Sequence, residues 1–225
     1  MLYVFYKFIQ NIVNLQQMKT ILYIHGMGGG GDSRIPNHLK TLFDTSEVQV
    51  IIRTYDFDPE LGRDQISFWV RVCRPDLVIG ESLGAIQALR IQGVPHLFVS
   101  PSLGAPDFLY RARIPALSAL GRWYFHHKFP VKEGDRQPLR FTYKVLRKYK
   151  AHGEAALAAI EADGFYYAFF GTQDHYKKSG VVRVDLWERY FGKSYTEYEG
   201  THFMEAEYIE SLLVPKIREV LSLEK

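Results

Sequence analysis

Cysteine is almost missing from this 225-residue chain. The lone Cys73 leaves no intrachain disulfide and excludes zinc sites built on paired cysteines. That scarcity fits a reducing cytoplasm, and neither a metal nor a cofactor is expected. Cys73 falls in a helix-length segment without a catalytic neighbour, so it is expected to be a small buried hydrophobe. No apolar run reaches bilayer length. The first 17 residues, MLYVFYKFIQNIVNLQQ, come nearest, but Lys7, Gln10 and Asn11 interrupt them and no small-residue cleavage site follows. Neither a signal peptide nor an anchor is expected there. Met18 stands just ahead of the first strand-like run, so translation starting at Met18 would make residues 1–17 an extension outside the fold. Repeats and low-complexity tracts are lacking, and so is any strong overall charge, the net value being +3. What the chain does have is apolar material: 47% hydrophobic and 15% aromatic residues, enough for one well-buried domain over residues 18–225.

The charge is unevenly spread. Residues 107–150 hold 11 Lys and Arg against 3 Asp and Glu, whereas the rest of the chain holds 17 basic and 22 acidic residues. Unbroken apolar runs of strand length occur at 20–24 (TILYI), 48–52 (VQVII), 76–80 (DLVIG), 96–100 (HLFVS) and 164–170 (GFYYAFF). Continuous rather than alternating apolarity predicts strands covered on both faces, as in a parallel sheet. Helix-length segments at 35–43, 62–72 and 82–92 lie between them, which predicts right-handed crossovers and a doubly wound α/β sheet. A shorter run at 194–199 reads as a last, edge strand. An amphipathic helix from about residue 202 closes the chain, with Pro215 expected to kink or break it.

The alternation fails over 101–163, too long for one crossover helix. Pro106, Pro115, Pro130 and Pro138 divide this segment, and it reads as an inserted helical cap. Its aromatic residues, Trp123, Phe125, Phe129, Phe141 and Tyr143, are expected mostly to bury the cap against the body.

Four motifs carry chemistry. HGMGGGGDS, residues 25–33, follows the first strand and matches G-x-G-x-x-G through Gly26, Gly28 and Gly31. A dinucleotide site would need an acidic residue closing the second strand and a helix beginning at the last glycine. The second run ends in Arg53, and Asp32, Ser33 and Pro36 prolong the turn, so that match is poor. The alternative is an oxyanion loop, with the Met27 N–H aimed at a reacting oxygen and the glycines letting the backbone approach a substrate. His25 is expected only to tie the loop to nearby carbonyls. GESLG, residues 80–84, is a G-x-S-x-G match between a strand and a helix-forming run. Gly80 and Gly84 leave room for the sharp turn that exposes Ser82, and the Leu83 N–H becomes a second oxyanion donor at a helix N-terminus. A serine needs a base, and the base needs an acid that fixes its tautomer. Asp174, in GTQDHY after the fifth strand, and His202, in GTHF after the last, complete the order Ser, Asp, His. Asp163, Asp185, His126, His127 and His175 are less well placed.

Through YIHGMGGG, VIGESLGA, GTQDHY and EGTHFM the chain from about Met18 onward resembles the α/β-hydrolase superfamily, in particular its small bacterial serine esterases. The resemblance implies a minimal sheet of about six mostly parallel strands, and cofactor-free cleavage of a carboxylic ester or thioester through an acyl-enzyme. Ser82 would be the nucleophile, His202 the base and then the acid, and Asp174 its orienting partner. The extra N-terminal strands of larger members are missing, and the cap is longer and more basic than in small esterases. RFTYKVLRKYK, residues 140–150, offers three roles: a guide for an anionic acyl substrate, a contact with an anionic membrane surface, or a solvated helix face. No nucleic-acid motif accompanies it. The competing function is a binding or scaffolding module that keeps the fold without the chemistry.

Overall fold

The computed structural model describes residues 18–223 except Val131; the expectations for residues 1–17 lie outside them. Six strands form one sheet: β1 (Lys19–Ile24), β2 (Val48–Ile52), β3 (Leu77–Glu81), β4 (His96–Val99), β5 (Tyr166–Gly171) and β6 (Tyr195–Tyr198). Their spatial order is β2-β1-β3-β4-β5-β6, and every pairing is parallel.

Both faces of the sheet are covered, which is why the strands read as continuous apolar runs. Leu22, Ile24, Val78, Phe98, Ala168 and Phe170 point into one core. Ile21, Tyr23, Leu77, Ile79, Leu97, Val99 and Phe169 point into the other. Helix α1 (Arg34–Leu42) covers the second face through Ile35 and Leu39. Helices α2 (Pro59–Cys73) and α3 (Gly84–Ala88) cover the first. Helix α2 starts at an Asp58 cap whose side chain accepts from the Glu60 N–H, with Pro59 in the first turn. It begins before the expected residue 62, and Cys73 sits half-buried at its end, not in the core. Helix α3 is much shorter than the expected 82–92.

The β4–β5 connection holds α4 (Ala105–Ala112), a 3₁₀ turn (Pro115–Leu117), α5 (Ala119–Lys128), α6 (Tyr143–Leu146) and α7 (Tyr149–Ala158). Its aromatic residues divide. Phe125 and Phe129 stack on Phe141 with centroids 4.9 and 4.8 Å apart, and Phe141 packs on Phe57 of the body. Trp123 and Tyr143 are exposed, while the other three pack inward as expected of most of this set.

After β5 come a 3₁₀ turn (His175–Lys177) and α8 (Val184–Phe191), whose Trp187 is fully buried. The chain ends in α9 (Ala206–Tyr208), a π-helical turn (Ile209–Leu213) and α10 (Val214–Leu221). The final helix therefore starts after residue 202, and Pro215 does not break it. The wider turn just before the proline absorbs its missing N–H and its ring, so the helix continues and buries Ile209, Leu213, Ile217 and Leu221 in the second core.

Candidate active site

Ser82 stands on the tight turn between β3 and α3 with φ 50°, a left-handed conformation unusual for a residue with a side chain. The turn is fixed on several sides. The Ser82 N–H donates to the Val99 carbonyl at 2.9 Å, and the Ser102 N–H donates to the Ser82 carbonyl at 3.1 Å. Gly84 is required by close approach: a β-carbon there would collide with the carbonyl oxygens of Ile24 and His25 at the end of β1.

The loops that follow β5 and β6 are tied together by bonds from Thr172 N–H to the Tyr198 carbonyl (2.8 Å) and from Gln173 N–H to the Gly200 carbonyl (2.9 Å). This pairing carries Asp174 and His202 to the same place. His202 Nδ1 donates to Asp174 Oδ2 at 2.7 Å, and Ser82 Oγ lies 2.9 Å from His202 Nε2. Asp174 Oδ1 accepts from the Tyr176 N–H at 2.9 Å, which fixes the carboxylate's orientation. Asp174 is 3% and His202 4% exposed. With Nδ1 protonated and held by a carboxylate, Nε2 presents its lone pair to the serine hydroxyl. The Tyr176 ring meets the imidazole edge-on at 4.6 Å, and Arg34 of α1 clamps the loop beyond His202 by donating to the Met204 carbonyl at 2.5 Å. Asp163, Asp185, His126, His127 and His175 make no hydrogen bond to this cluster among the described residues. His175 stacks instead on Tyr176, at 4.0 Å.

The glycine-rich loop runs alongside. Gly26 abuts Ser82; Met27 is the next residue along that loop, and Leu83 follows the serine in sequence. His25 Nδ1 donates to the Gly26 carbonyl at 2.7 Å, and its ring stacks on Tyr55. Burial lowers its pKa to about 4 and keeps it neutral. The glycines serve a different neighbour from the one expected. At Gly30 and Gly31 it is the segment around Asp135 in the β4–β5 connection that lies on them, and a β-carbon on Gly30 would strike the Asp135 carbonyl. Gln137, 4% exposed, locks the contact: its side chain accepts from the Gly28 N–H and donates to the Tyr55 carbonyl, each at 3.1 Å. Its own N–H donates to the Gly29 carbonyl at 2.7 Å. Arg136 pairs with Asp32 at 2.6 Å, and Thr54 bonds Asp135.

Three contributors escaped the sequence reading. Ser102, 1% exposed, puts its Oγ 3.1 Å from Ser82 Oγ. Glu81, inside the G-x-S-x-G match itself, bonds the Tyr23 hydroxyl at 2.9 Å and lies within electrostatic range of His202; burial pushes its carboxyl above the ordinary range. Gln137 lies in a proline-bounded loop with no motif. Of these, only Glu81 had a signal available, its position next to the serine. In the basic stretch 140–150, Arg140 pairs with Asp56, and Lys148 pairs with Asp58 and Glu60 at 2.7 Å each. The Tyr149 hydroxyl donates to the Phe57 carbonyl at 2.6 Å, so part of that stretch fastens the connection to the start of α2.

No protein-family model matches the chain, and no curated protein matches it in sequence. Solved structures do match. The chain is similar to a carboxylesterase of the ammonia-oxidizing thaumarchaeon Nitrososphaera gargenis, at 14% identity over 92% of both chains with a TM-score of 0.58. It is similar to Est1E of Butyrivibrio proteoclasticus, solved with ferulic acid, at 13% identity over 93% of this chain and 92% of that one, with a TM-score of 0.63. The fluorophosphonate-binding serine hydrolase FphF of Staphylococcus aureus matches at 12% identity over 92% and 85%, with a TM-score of 0.55. The all-parallel six-stranded sheet and these likenesses define the class by architecture: the chain has the α/β-hydrolase fold found in esterases.

Proposed function

We propose that the protein is a serine hydrolase that cleaves a small-molecule carboxylic ester or thioester through an acyl-enzyme. The observation that carries this reading is the line of hydrogen bonds Asp174–His202–Ser82, ending on a serine in left-handed geometry. In the first half-reaction Ser82 Oγ attacks the acyl carbon while its proton passes to His202 Nε2. The carbonyl oxygen becomes an oxyanion that accepts from the N–H groups of Met27 and Leu83. Collapse expels the alcohol or thiol, which takes the proton from His202. Water then attacks the acyl-enzyme, again through His202, releasing the acid and restoring the serine. Asp174 keeps the imidazole in the productive tautomer and steadies the imidazolium. Residues 101–163 act as a cap, covering the glycine-rich loop through the 134–139 stretch. Esterases and serine hydrolases among proteins of like fold support the reading.

Labelling with a fluorophosphonate probe, followed by intact mass, tests it. Wild type takes up one adduct and Ser82→Ala takes up none; the absence of a Ser82-dependent adduct would favour a binding module. A panel of p-nitrophenyl esters and acyl-CoAs at low and high salt then reads chain length and any preference for anionic leaving groups.

A further inference from the structure

The outer surface of the β4–β5 connection is built the wrong way round for a soluble helix. In α5 (Ala119–Lys128) Phe125 is buried, while Leu120 and Trp123 lie on the opposite side of the helix and Tyr124 on its flank. Leu120 is 74% and Trp123 59% exposed, and Tyr124 is exposed beside them. His127, one turn on, stacks on the Trp123 ring at 5.1 Å. Ile114 and Leu117, at three-residue intervals before Leu120, are exposed too. A helix turning its apolar stripe outward gains nothing from water, so the stripe marks a contact surface.

Charge selects the partner. Residues 108–132 contain Arg111, Arg113, Arg122, Lys128 and Lys132 and not one Asp or Glu. No salt bridge among the described residues engages these cations; Arg113 and Arg122 turn to nearby backbone carbonyls. This contrasts with Arg140 and Lys148, which the body neutralises. A second copy would bring the same cations against themselves. An acidic surface that also admits leucine and tryptophan side chains is the interface of an anionic bilayer, where Trp and Tyr settle at headgroup depth and each nearby Lys or Arg adds attraction.

We infer that α5 and the turn before it dock the protein onto anionic lipid, through Leu117, Leu120, Trp123 and Tyr124 with Arg111 and Lys128 at the headgroups. Among the described residues no helix is long and apolar enough to cross a membrane, so the contact is interfacial. The inference does not depend on the hydrolase reading.

The test is co-sedimentation of the full chain with phosphatidylcholine vesicles, with and without phosphatidylglycerol, followed also by tryptophan emission. Binding is expected only with phosphatidylglycerol, falling with salt, and accompanied by a blue shift. Leu120→Glu/Trp123→Glu is expected to weaken binding at least tenfold. Arg111→Glu/Lys128→Glu should weaken it about fivefold or more per reversed charge. Fluorophosphonate labelling without lipid should stay at the wild-type level in both variants, which separates this proposal from the catalytic one. If the apolar double variant fails to fold, the charge variant alone decides. Vesicle binding that is absent, indifferent to phosphatidylglycerol or indifferent to both variants overturns the proposal. So does self-association abolished by Leu120→Glu/Trp123→Glu, which would make the occupant a second copy. Binding that appears only when residues 1–17 are removed overturns it as well, placing that segment on the face.

Discussion

Ser102 Oγ lies 3.1 Å from Ser82 Oγ, and the Ser102 N–H holds the Ser82 carbonyl. In the proposed reaction the Ser82 proton goes to His202, and the Ser102 hydroxyl, which also lies 3.4 Å from the Ser100 carbonyl, is then the neighbour able to donate to Ser82 Oγ and hold it in position for attack. One neutral hydrogen bond is worth about 1 kcal/mol, so Ser102→Ala should lower kcat about fivefold and leave KM unchanged. Ser102→Thr should recover most of the loss. Steady-state kinetics on a p-nitrophenyl ester reads both; an unchanged kcat in Ser102→Ala would assign Ser102 to packing alone.

Asp174→Asn is expected to cost about 10⁴-fold in kcat while the fold persists. The amide oxygen can still accept from the Tyr176 N–H. Its NH₂ then faces His202 Nδ1 and drives the proton to Nε2, where it blocks acceptance from Ser82. A loss under tenfold would remove Asp174 from the proposed role.

Gln137→Ala leaves the Gly28 N–H and the Tyr55 carbonyl without partners in a buried position. At about 1 to 3 kcal/mol for each stranded group, a loss of about 2 to 6 kcal/mol is expected in urea unfolding. Hydrolysis should fall as well, because Gly28 adjoins Met27. Unchanged stability would mean that water replaces both bonds.

Acid should unfold the protein in a defined window. His25, His96 and His152 have pKa values lowered to about 4 from an ordinary 6.5, with burial the largest cause in each case. Below 6.5 the unfolded chain binds protons at these positions and the folded one does not. Their contribution to stability is complete above about 6.5, declines as pH falls through the window, and is lost once pH has passed about 4. Urea unfolding at stepped pH should give a slope approaching three protons from these groups. His152→Leu should reduce it by about one. A stability flat between pH 7 and 5 would refute the burial argument.

The architecture was legible in the sequence because strands covered on both faces must be apolar without interruption, and runs such as TILYI and DLVIG say so locally. Ser82 was legible for a related reason: the glycines at 80 and 84 record steric demands that act over a few residues. Asp174 and His202 were placed by chain order, since each follows a strand and must emerge at the same end of a parallel sheet. The sequence was silent wherever distant segments meet. The glycines at 30 and 31 read as room for a substrate, but the Asp135 segment, about a hundred residues later, fills that room. The sequence did not say which of the cap's aromatic residues would be left out of the core, and only the rotation of α5 about its buried Phe125 turns Trp123 to solvent. Pro215 read as a break because the sequence does not reveal the π-helical turn that accommodates it. Local sterics and burial periodicity are written into neighbouring residues. Which remote loop lies on which, and which face of a short helix is left uncovered, are decided only when the whole chain packs.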